Sequence, residues 1–492
     1  MYRLFILPIA SLIFIFTSPS LSSETNDQPN IIFILVDDLG WGDVGYHGGD
    51  IYTPNIDSIA QKSIKLERHY VHPYCLPTRL AFFTGDYPGR TNNSKPVDQF
   101  TGNLPERSLP RSLSSLGYET FIVGKWHLGN DKSRGPLQYG FSHSYGAFDA
   151  HADPYFHDTA SGQHVWHRND IITKEEGHAT DLLTDEALRV VTGKRHNPYF
   201  LYLAYTAPHW PLDAPQNWKE FYAQTNIKNA DYASMVSHLD ENIGRLFVRI
   251  QETQNERDTI VIFSSDNGAE ARSAYTDNVY DGVYGKRYGV QTAFGSNGLL
   301  KGAKGSVYEG GVRVPAFVWW EGLEKPRTIN TPLQIEDWFP TILDIAGASI
   351  QYHGPGKNIR DILTGVVSSS WNREFYTRST WPHPMWALRD GPLKMVVSLK
   401  PNKPWLQSLA KAVLPKSQEW RINKWFGNYD IADSSRLKFE FYNVQLDPSE
   451  ENDISEAVSY DQKQKFITKL NAYRSGDTNL NTELCIPAPP VP

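Results

Sequence analysis

The sequence predicts an α/β protein, in which helices flank a mostly parallel sheet and a smaller C-terminal antiparallel sheet with a helix follows. Continuous apolar runs of strand length recur through the first two thirds of the chain, with helical apolar spacing between them. After about Gly347 the runs become short and turn residues separate them. Strands that alternate with helices are typical of a parallel sheet covered on both faces.

The elements of the large sheet can be placed in order. The first apolar run, Asn30–Val36, predicts a fully buried strand. Thr53 and Pro54 offer an N-cap and a proline at the first helical position, so a helix is expected to begin there. Further strands are predicted at residues 119–123, 199–205, 259–264 and 314–320, and a helix from Met235 to Ile250.

The C-terminal third has a different character. Short strands are predicted at residues 373–378, 385–389, 393–397 and 439–444, with a charged helix at 455–474. We therefore expect a large α/β domain over residues 24–365 and a C-terminal α+β subdomain over 366–492. An insert at 400–438 interleaves basic residues with tryptophans, which suits either a grip on a polyanionic sugar chain or a solvated surface loop.

Composition and charge exclude several classes of protein. The 492 residues are 40% hydrophobic and 21% charged, which excludes a disordered chain, a collagen and a coiled coil. A formal net charge of -7 provides no positive field for phosphates and argues against a nucleic-acid partner. Two cysteines are too few for a disulfide framework.

The N-terminus has the pattern of a secretory signal peptide over residues 1–23. Arg3 precedes the apolar run 4–16, and small polar residues follow through Ser23. Thirteen apolar residues are fewer than the roughly 20 that a bilayer-spanning helix needs. We therefore expect an exported protein, periplasmic or secreted, soluble and without a membrane anchor.

Polar residues follow two of the predicted strands. Asp37 and Asp38 end the first, and Asp266 and Asn267 follow the strand at 259–264. Ligands of open α/β sheets bind beyond the carboxyl ends of the strands. Adjacent carboxylates repel each other unless a cation balances them, and oxygen ligands suit calcium or magnesium. Each pair alone is typical of a solvated turn, but the two together predict a metal site.

Cys75 lies just before an expected helix, with Arg79 four residues later. That position predicts a lowered thiol pKa and a reactive cysteine. The alternative is that Cys75 forms a disulfide with Cys485. Neither interpretation explains why Pro77 and Arg79 occur together after this cysteine.

Cys75-x-Pro77-x-Arg79 matches the C-x-P-x-R signature of type I sulfatases, and the chain resembles that family over nearly its whole mature length. The other matching stretches, in the family's order, are 37–40, 124–129, 207–209, 266–268, 301–304, 309–311, 441–443 and 447–448. Thr78 departs from the serine of many members but leaves the required cysteine, proline and arginine intact. The resemblance implies an alkaline-phosphatase-like fold.

The resemblance also implies a modified nucleophile and a metal. In the family a maturation enzyme oxidises the cysteine to formylglycine, and one oxygen of its hydrated form attacks sulfur. Carried over to this chain, Cys75 becomes that nucleophile. One Ca²⁺, the usual family metal, would be held by Asp37, Asp38, Asp266 and Asn267 together with residue 75.

The remaining roles are carried over in the same way. Arg79 would hold and activate the diol with its rigid donor fork. Lys125 and Lys304 would pair with sulfate oxygens, and His209 would join them and protonate the leaving oxygen. His127 would act as the base that expels sulfate and regenerates the aldehyde.

Residues that select the substrate are predicted on loops. A histidine-rich stretch lies between residues 141 and 181 and includes His151, and Trp210 follows His209. Imidazole and indole rings suit a sugar, which offers hydroxyls and an apolar face. Trp381 and His383 are further candidates.

The expected substrate is a sulfated carbohydrate: a marine galactan such as carrageenan, ulvan or a glycosaminoglycan. The chain resembles the arylsulfatase and N-acetylgalactosamine-4-sulfatase branch of the family, which favours a galactose-type 4-sulfate.

Two other functions compete with this prediction. Phosphonate and phosphodiester hydrolases share the fold, and some share the C-x-P-x-R motif. Two-zinc phosphatases carry a histidine beside the strand-end aspartate, where this chain has Asn267. A non-catalytic sugar-binding relative would be marked by loss of Cys75 or of a metal ligand, and none is lost.

Overall fold

The fold is given by a computed structural model, which describes residues 28–91, 104, 107–253, 257–270, 283–288, 291, 295–323, 325–349, 351–367, 373–379, 384–399 and 437–475. The predicted signal peptide, Trp381, His383, Cys485 and residues 400–436 of the predicted insert lie outside these ranges. Within the ranges, no helix combines the length and the apolar character that crossing a membrane requires.

Strands and helices alternate through most of the described chain. The strands are β1 (Asn30–Val36), β2 (Ile64–Leu66), β3 (His69–Tyr70), β4 (Glu119–Gly124), β5 (His143–Ala147), β6 (Trp166–Arg168), β7 (Ile171–Ile172), β8 (Tyr199–Ala204), β9 (Thr259–Ser265), β10 (Arg313–Val314), β11 (Ala316–Trp320), β12 (Arg327–Ile329), β13 (Leu333–Gln334), β14 (Glu374–Ser379), β15 (Met385–Asp390), β16 (Leu393–Leu399) and β17 (Leu437–Asn443). The α-helices are α1 (Pro54–Gln61), α2 (Cys75–Thr84), α3 (Pro88–Thr91), α4 (Leu109–Ser115), α5 (Ala179–Thr192), α6 (Gln216–Ala223), α7 (Ala230–Glu252), α8 (Val283–Tyr288), α9 (Glu309–Val312), α10 (Trp338–Ile345), α11 (Arg360–Thr364) and α12 (Tyr460–Ser475).

The large sheet has ten strands in the order β12-β2-β11-β9-β1-β8-β4-β5-β6-β7. Its centre, from β9 to β5, is parallel throughout, whereas β11, β6 and β7 run antiparallel to their neighbours. The mostly parallel sheet predicted from the sequence is thus confirmed. Because the central strands are parallel, the segments after β1, β4, β8 and β9 leave the sheet at one edge.

Helices cover both faces of this sheet. Ile32 and Ile34 belong to the apolar core that includes α1, α5 and α7. Ile31 and Phe33 belong to the core on the other face, which includes α2, α4 and α10. Alternate residues of one strand therefore enter opposite cores, which explains why β1 is apolar throughout.

The C-terminal sheet is antiparallel, in the order β14-β15-β16-β17. On one face Met395 and Val397 pack with residues of α12. On the other, Val396 packs with Val307 of the large domain. The predicted antiparallel sheet with a helix is confirmed, and the boundary at residue 365 stays a prediction.

One predicted strand, at 314–320, is divided in the structure. Residues Arg313–Val314 form β10, which pairs with β3 in a three-stranded sheet, whereas Ala316–Trp320 form β11 of the large sheet. Pro315 lies at the division, where its missing N–H cannot continue a ladder.

Candidate active site

Two neighbouring strands bring the acidic side chains together. β1 and β9 are parallel, and Val36 lies opposite Ser265 at their carboxyl ends. Asp37 therefore begins one loop beside Asp266, which begins the other. The aspartates that follow these strands, and Asn267, are buried, with at most 3% of their surface exposed.

The backbone at Asp38 adopts a conformation that is uncommon for a residue with a side chain. Its φ is 68°, in the left-handed region. Asn267 Nδ2 donates to Asp38 Oδ1 at 2.7 Å, and the Tyr232 hydroxyl donates to the Asp38 carbonyl at 3.0 Å. These contacts hold the carboxylate in place, as is common where function requires a strained backbone.

Each of the three carboxylates is paired with a cation. Lys125, which follows β4, places Nζ 2.5 Å from Asp37 Oδ2. Arg79 Nη2 lies 2.8 Å from Asp266 Oδ2. Lys304 Nζ lies 2.8 Å from the Oδ2 atom of Asp38. The structure thus brings together the charged residues that the sequence assigned to catalysis and metal binding.

Cys75 and Arg79 are positioned by one helix, α2. Cys75 is its first residue, and Arg79 follows one turn later on the same face. Potential ligand atoms of Cys75, Asp37 and Asp266 all lie within 4.8 Å of one another. Arg79 Nη1 also donates to the Lys125 carbonyl at 2.9 Å, so the arginine links α2 to the loop after β4.

The lowered thiol pKa expected for Cys75 is wrong for this structure. Cys75 is free and buried, and burial raises its pKa more than Lys125 and Lys304 lower it. Desolvation disfavours the thiolate, and the nearby carboxylates of Asp37 and Asp266 disfavour it further. The thiol itself is therefore a poor nucleophile here. The alternative disulfide involves Cys485, which lies outside the described residues.

Two histidines at the site are held neutral. Burial lowers the pKa of His209 to about 4, with a further contribution from Lys304. Its Nδ1 lies 2.6 Å from the Trp210 carbonyl and its Nε2 lies 3.6 Å from Asp38 Oδ2. Burial and the charges of Lys125 and Arg79 hold the pKa of His127 well below its usual range.

His127 also has a left-handed backbone, with φ of 62°. Its buried Nδ1 has no hydrogen-bond partner among the described residues. A neutral imidazole with an unused nitrogen can accept a proton.

The donor set fits one hard divalent cation. Oδ1 of Asp37 and Oδ1 of Asn267 are buried and have no hydrogen-bond partner among the described residues. Burial and the charge of Asp37 raise the pKa of Asp266 to about 7, so Arg79 and Lys125 do not keep this carboxylate fully ionised at neutral pH. A bound Ca²⁺ would satisfy both free oxygens and stabilise the ionised carboxylates.

The two predicted specificity residues differ in their surroundings. The His151 ring lies 4.7 Å from the His209 ring, measured between centroids. Trp210 is buried in the core and its ring packs edge-on against Tyr284. Trp210 therefore supports the loop that carries His209, and contact with substrate stays a prediction for both residues.

Other histidines of the 141–181 stretch have structural partners. His143 pairs with Glu186, His164 with the Thr173 carbonyl and His167 with Ser144, and the His157 ring stacks on Trp166.

His178, Asp181 and His238 form a second group with possible ligand atoms. Nδ1 of His178 accepts from Thr180 N at the start of α5, and Nε2 lies 2.9 Å from the Asp213 carbonyl. Because both of its nitrogens are in use, His178 is a helix cap.

The sequence did not indicate two residues that hold the site together. Thr78 Oγ1 donates to the Asp266 carbonyl at 2.6 Å. Tyr232, on α7, donates to Asp38 as described above. The sequence marks Thr78 only as a departure from the family's serine, although serine and threonine both supply a hydroxyl. No local pattern marks Tyr232, since its partner is 194 positions away.

Fold and site together define an α/β protein that combines a group of possible metal ligands with fixed positive side chains, an arrangement suited to an oxyanion. Residues 29–348 match the Sulfatase family. The chain therefore belongs to the sulfatase family, as its motifs indicated.

Curated relatives of the chain include sulfatases. The chain is 35% identical to arylsulfatase J of Mus musculus over 347 residues, which is 68% of this chain and 55% of that protein. It is 32% identical to N-acetylgalactosamine-6-sulfatase of Homo sapiens over 352 residues, 66% of this chain and 63% of that protein. The match thus spans less than two thirds of these relatives' length.

Solved structures match over more of the chain. Ps i-CgsB in complex with k-i-k-neocarrahexaose is 25% identical, with a TM-score of 0.72, and the match covers 94% of this chain and 95% of that one. The PsFucS1 sulfatase from Pseudoalteromonas sp. has a TM-score of 0.67 at 20% identity, covering 94% and 93%. The second match shows the shared fold.

Proposed function

We propose that this protein hydrolyses the sulfate ester of a sulfated carbohydrate, with residue 75 as formylglycine and one Ca²⁺ held by Asp37, Asp38, Asp266 and Asn267. The observation that carries the proposal is the buried cluster of three carboxylates and three cations around residue 75. When present, formylglycine supplies the nucleophilic oxygen and Ca²⁺ supplies Lewis-acid polarisation of the sulfate.

Charge balance supports an anionic substrate. The carboxylates of Asp37, Asp38 and Asp266 are offset by Arg79, Lys125 and Lys304. A divalent cation would leave an excess of two positive charges in a buried site. A sulfate ester carries one negative charge, and its charged oxygens are what such a site binds most strongly.

The lysines and His209 bind and orient the sulfate. Lys304 and His209 both lie beside Asp38, at 2.8 and 3.6 Å from its Oδ2. A sulfate placed here would accept hydrogen bonds from Lys125 and Lys304. Its negative charge would also raise the pKa of His209 from about 4, which favours the protonated form that a general acid needs.

His127 serves as the base. Its pKa is held well below the usual range, so the ring is neutral at pH 7. Its buried Nδ1, unpartnered among the described residues, is the atom on which it would accept a proton. Arg79 acts beside residue 75, where its link to Asp266 fixes the helix on which both lie.

The substrate class is supported by relatives. One solved relative holds a neocarrahexaose, and curated relatives include N-acetylgalactosamine-6-sulfatases. As the substrate of this chain we propose one of three polysaccharide classes: a galactan such as carrageenan, another algal polysaccharide such as ulvan, or a glycosaminoglycan. The sequence favours a galactose-type 4-sulfate, and a substrate panel can compare its hydrolysis with that of a 6-sulfate. Export through the N-terminal signal and a maturation enzyme as partner belong to the same proposal.

A substrate panel tests the function. The protein would be produced in a host that has the maturation enzyme and given oligosaccharides of carrageenan, ulvan and chondroitin sulfated at position 4 or 6, with phosphate and phosphonate esters alongside. We expect sulfate release that Cys75→Ala abolishes. Higher kcat/KM on a phosphodiester would favour the related hydrolases, and binding without turnover would favour the non-catalytic relative.

A further inference from the structure

The segment 301–312 carries Lys304 and joins two other parts of the site through its backbone. Lys304 N donates to the Ala269 carbonyl at 3.0 Å, two residues after Asn267. Gly305 N donates to the Pro73 carbonyl at 2.8 Å, two residues before Cys75. The position of this segment therefore sets where the Lys304 ammonium lies relative to the metal ligands and the nucleophile.

The C-terminal sheet holds the same segment by apolar packing. Val307 is fully buried. It packs in a cluster with Met385, Ala387, Val396, Tyr442 and Val444, all from the C-terminal subdomain. Lys301, at the start of the segment, donates from Nζ to the Tyr442 hydroxyl at 2.8 Å. The face of the sheet opposite α12 thus contacts the segment on both sides of Lys304.

A buried ion cluster completes this contact. Lys394 lies on β16, and its Nζ is 3.0 Å from Glu309 Oε1 and 2.9 Å from Glu450 Oε1. Glu309 also donates its backbone N–H to Glu450 Oε2 at 2.6 Å and accepts from the Tyr70 hydroxyl at 2.7 Å. The charged members of the cluster are at most 3% exposed.

Lys394 compensates the buried negative charge at this contact. Its ammonium contacts both carboxylates, and all three residues are buried. Removing one partner of a buried ion cluster leaves uncompensated charge, which is strongly unfavourable. Without Lys394, the two carboxylates lose the cation that contacts both, and the ionic link from β16 to the segment through Glu309 is broken.

We propose that Lys394 is a positioning residue for Lys304, and that the C-terminal sheet is thereby part of the sulfate-binding apparatus. Lys394 contacts Glu309 and Glu450, and acts on the substrate only through the segment 301–312. The inference deepens the proposed function and rests on it for its kinetic consequence. Its structural consequence, order in the segment, is measurable without any activity.

A double-mutant cycle tests the kinetic consequence. Lys394→Met should lower kcat/KM on a sulfate ester by about 10- to 100-fold, the range seen when outer-shell partners of a site are removed. In the Lys304→Ala background the same change should have almost no further effect, because its target is gone. An equal loss in both backgrounds would show that Lys394 acts generally on the fold and would overturn the proposal.

The matched control is Lys469→Met. Lys469 also lies in the C-terminal subdomain, but its ammonium pairs with Asp390 on β15, at 2.6 Å, and with Glu374 on β14. We expect kcat/KM within about twofold of the wild type for this variant, as for most substitutions away from a site. Should Lys394→Met not fold, Glu450→Gln removes the second carboxylate and is expected to give a smaller loss in the same direction.

Hydrogen exchange separates this inference from the proposed function. In Lys394→Met, amides of residues 301–312 should exchange faster than in the wild type, whereas Lys469→Met should leave them unchanged. Unchanged exchange in Lys394→Met would overturn the inference even in an active sulfatase. Absence of sulfate release by the matured wild type would overturn the proposed function, while the exchange result still decides whether Lys394 positions the segment.

Discussion

At the scale of single residues, the site consists of opposed charges that only the fold could bring together. Asp37 and Lys125 are 88 positions apart, and Asp38 and Lys304 are 266 apart, yet both pairs are in contact. A lysine in the sequence gives no sign of such a partner. The family resemblance assigned all four residues to one site, but the two ion pairs are seen only in the structure.

Lys304→Ala tests the electrostatic role of one of these cations. We expect kcat to fall by about 10²- to 10³-fold, the usual cost of removing one group that stabilises charge in the transition state. Lys62→Ala, at an exposed lysine of the large domain, is the control and should leave kcat unchanged. Steady-state kinetics on a sulfate ester measure both. Loss of activity in Lys304→Ala combined with full activity in Cys75→Ala would contradict the scheme.

Calcium binding can be tested through stability. At a Ca²⁺ concentration 100-fold above Kd, the free energy of unfolding should rise by about 2.7 kcal/mol, because the ion binds only the folded site. Asp266→Asn should remove most of this gain, since it deletes a charged ligand. Asp344→Asn, at a carboxylate paired with Arg360, is the control and should keep it. Urea unfolding with Ca²⁺ and with a chelator measures the effect, and an equal gain in all three proteins would refute the ligand set.

At the scale of elements, the close approach of the ends of β4 and β8 sets the position of Lys125. Gly124 ends β4 with φ of 118°, and a Cβ there would lie 1.8 Å from the Ala204 carbonyl oxygen of β8. Lys125 is the next residue, so its position depends on this contact. Any side chain at residue 124 would overlap Ala204 and push β4 away from β8.

Gly124→Ala is therefore expected to lower the free energy of unfolding. Gly117 also has a positive φ, of 89°, but a Cβ there would meet nothing within 4 Å. Gly117→Ala should cost about 1–2 kcal/mol for the left-handed backbone alone. Gly124→Ala should cost about 1–3 kcal/mol more because of the overlap, and should lower kcat as well. Equal unfolding free energies for the two variants would show that the approach of β4 to β8 is not as tight as described.

The sequence predicted the central strands well but left their order in the sheet open. Apolar runs such as Asn30–Val36 are distinctive because a strand buried on both faces admits few polar residues. The strand predicted at 314–320 was less accurate, since Pro315 interrupts it and its two halves join different sheets. The lowered pKa expected for Cys75 failed because a helix start indicates its dipole but not the burial that outweighs it.

At the scale of the whole molecule, the C-terminal sheet packs against the segment that carries Lys304. The antiparallel sheet and its helix were predicted from their short strands, but their contact with the Lys304 segment was not. Lys394 lies on β16 of the C-terminal sheet and Glu309 begins α9 of the large domain, 85 positions earlier in the chain. Such contacts depend on the packing of whole layers, which the spacing of residues along the chain does not encode.

Buried neutral histidines predict how stability depends on pH. Burial lowers the pKa of His69, His167 and His178 to about 3 from 6.5. Between those values the unfolded chain binds protons that the folded chain does not, so stability falls as pH decreases from about 6.5. Each histidine contributes a slope of up to about 1.4 kcal/mol per pH unit.

His69→Gln isolates one of these contributions. Trp338 Nε1 donates to His69 at 2.9 Å, and the glutamine amide oxygen can replace that acceptor. Between pH 7 and pH 5 the variant should lose about 2 kcal/mol less unfolding free energy than the wild type. His353→Gln, at an exposed histidine, is the control and should behave as the wild type. Urea titrations at both pH values decide, and an unchanged pH dependence in His69→Gln would contradict the neutral buried state.

The most direct test of the proposed function is the chemical state of residue 75 in protein that releases sulfate. Trypsin should yield the peptide His69–Arg79, whose mass distinguishes a thiol from an aldehyde at position 75. The protein must come from its natural source or from a host with the maturation enzyme. We predict an aldehyde. An intact thiol at residue 75 in a preparation that hydrolyses sulfate esters would contradict the account.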